Sequence, residues 1–266
     1  MVTTERGRWG EFSYTVSHKV YELTTTKYVF VGINTSASAF SDAELRRSLY
    51  AHIDKEAVAD SIMFSHATPA DTPISSEAYF YRNDDEREKA YDKDYIASKK
   101  LSTYILYNEE SPYKENIAKY LQKQLEAAGV EAELTGVDYE TYLAKIRSGD
   151  YQLYIGEVEL KKDSDLGFMY DTVSGGDEGQ NKVNTSELTD FADAKLSDIV
   201  NNINTAKNEE ALKMAYNNLR LFYRENVFEI PLVHINDALL VNSRIKGKPN
   251  VNLTNFYADL SGIYIQ

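Results

Sequence analysis

Between residues 101 and 137 the chain reads as apolar strand, amphipathic helix, apolar strand, and that order leaves few folds open. Residues 101–107 and 130–137 have the length and β-branched or aromatic content of buried strands. Ser111-Pro112 predicts a helix start with proline in its first turn. Ile117, Tyr120, Leu121, Leu125 and Ala128 form that helix's apolar stripe, and Gly129 closes it. Two strands separated by such a helix lie parallel, joined by a right-handed crossover.

The flanking sequence extends the same scheme. Residues 28–34 are a strongly apolar, β-branched run that reads as a buried strand, preceded by a loosely alternating segment ending in Thr24-Thr25-Thr26. Ser41 or Asp42 caps a helix with Leu45, Leu49, Ile53 and Val58 near helical spacing, which predicts a helix to about Met63. Pro69, Pro73 and a charged run over 82–89 predict an irregular, solvated stretch. Asp138 caps a shorter helix carrying Tyr142, Leu143 and Ile146, ended by Ser148-Gly149, and residues 151–156 form another strand. After an irregular region over 157–186, helices are expected at about 188–203 and 208–224, then a strand over 228–241. The expected fold class is an α/β domain with a mixed sheet flanked by helices.

The net charge of −13, from 29 Lys and Arg against 42 Asp and Glu, argues against nucleic acid, whose phosphates need cationic patches. Hydrophobic residues at 42% are too many for a disordered chain, and no apolar stretch approaches the roughly 20 residues that span a bilayer. With no cysteine there is no disulfide, thiol nucleophile or thiolate metal site. The 21 tyrosines against 10 phenylalanines suit either an amphipathic groove or a plain substitution of Tyr for Phe in core and surface. His18, His52, His66 and His234 have no partner nearby in sequence, and no zinc, phosphate-loop or serine-hydrolase motif occurs. No cofactor and no metal is expected. Glu157 and Glu159 alternate off the end of a strand, where open α/β sheets place ligand contacts, and a pair of carboxylates there could serve glycoside hydrolysis.

The stretch Asp42-Ala43-Glu44-Leu45-Arg46-Arg47-Ser48-Leu49-Tyr50-Ala51-His52-Ile53-Asp54-Lys55-Glu56 resembles a helix of the peptide/nickel class of ABC-transporter solute-binding proteins, extracellular family 5. Val31-Gly32-Ile33-Asn34 before it, Thr68-Pro69-Ala70 and Pro73-Ile74 after it, the helix over 118–129, the segment 139–153, and the late Glu229-Ile230-Pro231-Leu232 and Ile245-Lys246-Gly247 resemble further family segments in the family's order. On residue type alone, Arg46 and Asp54 are expected on the helix surface or between lobes, and Pro231 at a strand edge.

The resemblance implies a periplasmic-binding-protein-like lobe (type II, cluster C), without enzymatic activity. It implies the substrate-binding component of an ABC importer, taking a peptide or other small solute and working with a membrane permease. The location implied is the extracellular face of the cytoplasmic membrane, lipid-anchored, or the periplasm. Family members are longer and two-lobed, so the expectation is a C-terminal lobe over 28–241. Residues 1–27 and 242–266 would be flanks belonging with the other lobe. Trp9, Phe12, Tyr14, Phe256, Tyr257 and Tyr264 would then be left for self-association. Peptide-binding members carry Gly-Trp-x-x-Asp after the strand, and Gly156-Glu157-Val158-Glu159-Leu160 departs from it. The expected ligand contacts are Glu157, Glu159, Asp165 and Tyr170. A hydrolase using Glu157 and Glu159, or a sensor without an importer, are the alternatives.

Overall fold

In the computed structural model, which describes residues 2–4, 17–74, 91–160, 166, 195–247, 250–252, 255–259 and 262–266, the apolar runs of the sequence become neighbouring strands. The chain order is β1 (Val2–Thr4), β2 (His18–Ile33), a 3-10 turn at Ser38–Phe40, α1 (Ala43–His52), α2 (Lys55–Ala57) and a π-helical turn at Val58–Ile62. It continues with β3 (Ala67–Pro69), α3 (Asp94–Ala97), β4 (Ser102–Asn108), α4 (Lys114–Ala127), β5 (Glu131–Val137), α5 (Tyr139–Ser148) and β6 (Leu153–Glu159). The last part holds α6 (Leu196–Asn204), α7 (Glu209–Asn226), β7 (Glu229–Asn242) and the short strands β8 (Ile245–Lys246), β9 (Asn250–Asn252), β10 (Asn255–Asp259) and β11 (Tyr264–Ile265).

The main sheet runs β1-β7-β2-β6-β4-β5, with β3 also on β7. β4 lies parallel to β5 and β6, as the strand–helix–strand pattern requires, and β2 lies antiparallel to β6 and β7. The sheet is therefore mixed. Successive residues of β2 point to opposite faces. Val29, Val31 and Ile33 join Leu45 and Leu49 of α1 and Ile117, Leu121 and Leu125 of α4. Tyr28 and Phe30 join Tyr142 of α5, Ile199 of α6 and Phe222 of α7 on the other side. Burial on both faces explains why these strands read as continuous apolar runs rather than as alternation.

Tyrosines fill much of the second layer, with their hydroxyls satisfied. Tyr142 Oη donates to the Ile155 carbonyl at 2.7 Å, and Tyr28 and Tyr223 both donate to buried Glu229 Oε1 at 2.8 and 3.0 Å. Two other rings of this layer, Tyr154 and Phe30, lie over cross-strand glycines. Gly32 pairs with Tyr154 and Gly156 with Phe30, and a β-carbon at either glycine would overlap the facing ring. Caps fall where the sequence places them: Asp42 accepts from the Glu44 and Leu45 amides, Asp138 from Thr141, and Gly129 and Gly149 take positive φ of 82° and 75°.

Several expectations are corrected. β2 starts at His18 rather than Tyr28, because residues 18–24 find hydrogen-bonding partners on β7 that no local pattern announces. The helix expected to reach Met63 ends at His52. Ile53 and Asp54 are extended, with ψ of 115° and 101°, and the Asp54 carboxylate restarts the helix by accepting from the Ala57 amide at 2.9 Å. α4 begins at Lys114, just past Pro112. Arg46 is buried rather than on the helix surface. Pro231, by contrast, keeps the edge position expected of it: β3 pairs β7 at 233–235 and β1 at 238–240, so Pro231 pairs with β2 alone, at a register shift where Val29 faces Val233 but Phe30 faces Pro231. A bulge removes the need for the amide hydrogen that proline lacks.

Candidate functional site

A cleft of about 630 Å³ opens where the long β2–β7 pair meets the carboxyl ends of β4 and β6. Lys27 comes from β2, Glu157 from β6, and Ile235 and Asp237 from β7. Met63, Phe64 and His66 follow the π-helical turn, and Ser111, Pro112 and Tyr113 form the loop from β4 into α4. Open α/β sheets bind ligands at this end of their parallel strands.

The position of Lys27 follows from a bulge in β2. Thr24 faces Asn236 and Tyr28 faces His234, so three residues of β2 stand opposite Ile235 alone. The threonine run stabilises the bulge: Thr25 Oγ1 donates to the Ile235 carbonyl at 2.5 Å and accepts from the Lys27 amide at 2.9 Å. The Thr26 carbonyl accepts from the Leu160 amide at 2.9 Å, which ties β2 to the end of β6.

Charges at the cleft come with partners. The Lys114 ammonium, at the first residue of α4, stands 3.5 Å from Glu157 Oε2 and 5.2 Å from the centre of the Tyr142 ring. Burial pulls the Lys114 pKa down from the usual lysine value, and the Glu157 carboxylate partly restores it. Lys27 Nζ is 3.9 Å from Asp237 Oδ1, and His66 Nδ1 is 3.1 Å from Glu22 Oε1. Among the described residues no group of three or more His, Asp or Glu is arranged to hold a metal ion. No helix among them is long and apolar enough to cross a membrane.

Of the residues expected to contact ligand, Glu157 lines the cleft. Glu159, two residues on along the same strand, is exposed and lies opposite Lys27 in register, outside the cleft lining. Asp165 and Tyr170 lie outside the described residues, as do Trp9, Phe12 and Tyr14; Tyr264 is exposed. The sequence reading missed Lys27, Phe64, His66, Lys114 and Asp237. One signal was available for Asp237, since Asn236-Asp237 stands between the apolar runs Ile230–Val233 and Ala238–Val241 of a 14-residue strand. Lys114 carried none, because a lysine in the first turn of a helix reads as solvated.

The family model for bacterial extracellular solute-binding proteins, family 5, matches residues 11–180. The chain is 26% identical over 144 residues to the probable D,D-dipeptide-binding periplasmic protein DdpA of Escherichia coli, covering 52% of this chain and 28% of that one. It is 25% identical over 248 residues to the peptide transport periplasmic protein SapA of Haemophilus influenzae, covering 88% and 42%. The chain thus spans less than half of either relative. The fold is similar to that of the oligopeptide-binding protein AppA of Bacillus subtilis, solved with a nonapeptide, with a TM-score of 0.73 at 14% identity over 99% of this chain and 55% of that one. The sheet order and helices described above are thus those of a type II periplasmic binding protein, and the chain belongs to the bacterial extracellular solute-binding proteins, family 5.

Proposed function

We propose that this chain captures a peptide or peptide-like solute for an ABC importer, acting as the C-terminal lobe of a two-lobed binder. The observation that carries this reading is the cleft at the carboxyl ends of β4 and β6, at the base of the β2–β7 ribbon, with Glu157 in its wall. Residues 28–241 would be the lobe, and the flanks at 1–27 and 242–266 would meet its counterpart. Two matched relatives bear names that speak of dipeptide binding and peptide transport, which favours peptides over other solutes. Glu157 would supply the anionic contact in place of the aspartate of peptide-binding members, with Glu159, Asp165 and Tyr170 completing the strand end and the loop after it. The work would be done outside the cytoplasmic membrane, by a lipid-anchored or periplasmic protein that does no covalent chemistry.

Lobes that close on a ligand bury most of its surface, so a single lobe offers only part of the contacts. A thermal-shift screen against short peptides, oligosaccharides and nickel chelates, run on this chain and on the longest product of its gene, tests the reading. A ligand at 100 times its Kd stabilises by about 2.7 kcal/mol, which is easily read as a rise in Tm. Stabilisation by peptides, stronger in the longer product, is expected. A shift with oligosaccharides or chelates and none with peptides would sink the peptide assignment. Hydrolysis of a glycoside that disappears in Glu157→Gln would establish the enzyme alternative instead.

A further inference from the structure

The segment after the π-helical turn places an aromatic side chain where the backbone least favours one. Phe64 and Ser65 are consecutive non-glycine residues in the left-handed region, with φ of 53° and 59°. Glycine or asparagine occupies such positions with little strain, whereas a bulky side chain does not. The turn is held firmly by its neighbours. Met63 is fully buried, and its amide donates to the Val58 carbonyl at 3.0 Å. The Ser65 amide donates to the Ala59 carbonyl at 2.9 Å and the His66 amide to the Met63 carbonyl at 2.9 Å. The result is a phenyl ring at the cleft wall that is 68% exposed. Strained conformations that the surroundings enforce gather at functional sites.

Among the described residues, the lysines and carboxylates at the cleft pair off. Each lysine and carboxylate among the described residues lining the cleft has an opposite partner within 4 Å, Glu157 with Lys114 at 3.5 Å and Lys27 with Asp237 at 3.9 Å, while His66 Nδ1 lies 3.1 Å from Glu22 Oε1. In a chain of net charge −13, the lysines and carboxylates that line this cleft among the described residues are thus matched in sign. A ligand of high net charge would enter without compensation, and a zwitterion would meet both signs.

We infer that Phe64 is a specificity-determining residue, and that the cleft takes a zwitterionic ligand of no net charge carrying an apolar side group that packs against the Phe64 ring beside Tyr113. This rests on the peptide-binding reading proposed above. The test is a chemical-shift titration of the isotope-labelled 266-residue chain, which detects weak binding by one lobe. The probes are the tripeptides Ala-Leu-Ala, Gly-Gly-Gly, Lys-Lys-Lys and Glu-Glu-Glu. Ala-Leu-Ala is expected to bind about ten-fold more tightly than each of the other three, with the Phe64 and Tyr113 signals shifting most. In Phe64→Asn, whose side chain tolerates the left-handed backbone, the preference for Leu over Gly should fall to about two-fold or less while the melting temperature stays at or above that of the native chain. Phe64→Leu should keep most of the preference.

A Phe64→Asn chain that retains the full preference for Ala-Leu-Ala overturns the inference, as does a charged tripeptide that binds as tightly. In both cases the peptide-binding reading stands. A native chain in which none of the four peptides shifts any cleft signal removes that reading, and the inference with it.

Discussion

Arg46 Nε stands 2.9 Å from the carbonyl oxygen of Asn226, the last residue of α7, across 180 positions of sequence. The same nitrogen is 3.2 Å from the Val227 carbonyl, and Nη1 donates to the Phe40 and Ser41 carbonyls at 2.8 and 3.1 Å. The last carbonyls of a helix have no intrahelical donor and carry the negative end of its dipole. A buried guanidinium answers both needs, and its fixed fork reaches the turn before α1 at the same time. The arginine in the segment that resembles the family's helix therefore joins the start of α1 to the end of α7.

Replacing Arg46 with alanine should cost about 3 kcal/mol, since four carbonyl contacts, three of them buried, lose a charged donor. Arg46→Lys should recover less than half of that, because an ammonium cannot bridge both pairs of carbonyls. Urea unfolding monitored by circular dichroism measures both, and a loss below about 1 kcal/mol for Arg46→Ala would contradict the assignment.

Gly156→Ala should destabilise the sheet by about 2 kcal/mol, the usual effect of overpacking a well-filled core. The added methyl would overlap the Phe30 ring, which packs edge-on to Tyr154 at 5.8 Å between centroids. Pairing Gly156→Ala with Phe30→Leu should restore part of the loss, as the ring is the obstacle. Additive effects of the two substitutions in thermal melts would show that the clash is relieved elsewhere.

These cases mark what local sequence conveys. The parallel β4–α4–β5 unit was legible because its periodicity, its proline before the helix and Gly129 at the end are all local signals. The caps at Asp42 and Asp138 were legible for the same reason. Arg46 was misplaced because its carbonyl partners lie 180 positions away, and a charged residue on a helix reads as solvated. The cleft was half hidden by the same distance effect. Glu157 follows from the strand-end rule, but Lys27 reaches it only through a bulge at Thr25, whose register depends on Ile235 in β7. Nothing in the residue types of Phe64 and Ser65 foretells their left-handed backbone, which is held by the Ser65 amide on the Ala59 carbonyl and the His66 amide on the Met63 carbonyl.

His234 gives the fold a pH dependence. Burial pushes its pKa down to about 4, with the Thr72 and Ile74 carbonyls and Asp71 acting in the opposite sense. Its Nε2 lies 3.3 Å from the Thr72 carbonyl. Below the unfolded value of about 6.5, unfolded chains bind a proton that the folded chain refuses, so stability is present above that pH and falls as pH drops toward 4. The whole loss is on the order of 3 kcal/mol. His234→Gln should flatten the dependence of Tm on pH between about 6.5 and 4. An unchanged slope in that window would assign the acid sensitivity to other groups.

The ion pair at the cleft predicts an asymmetry between its two members. Lys114 is almost wholly buried, whereas the Glu157 side chain is about one-third exposed at 32%. Removing the carboxylate leaves a desolvated ammonium facing Tyr142, and removing the ammonium leaves a carboxylate that water still reaches. Glu157→Gln should therefore lower stability by about 2 kcal/mol at neutral pH, with the Lys114 pKa falling further. Lys114→Met should be close to neutral, because an unbranched apolar chain fills the same space beneath the ring. Combining the two should bring stability back toward that of Lys114→Met alone, which a double-mutant cycle in urea reads directly. A Lys114→Met chain less stable than Glu157→Gln would mean that the ammonium is held for the fold and not as the counter-charge of Glu157.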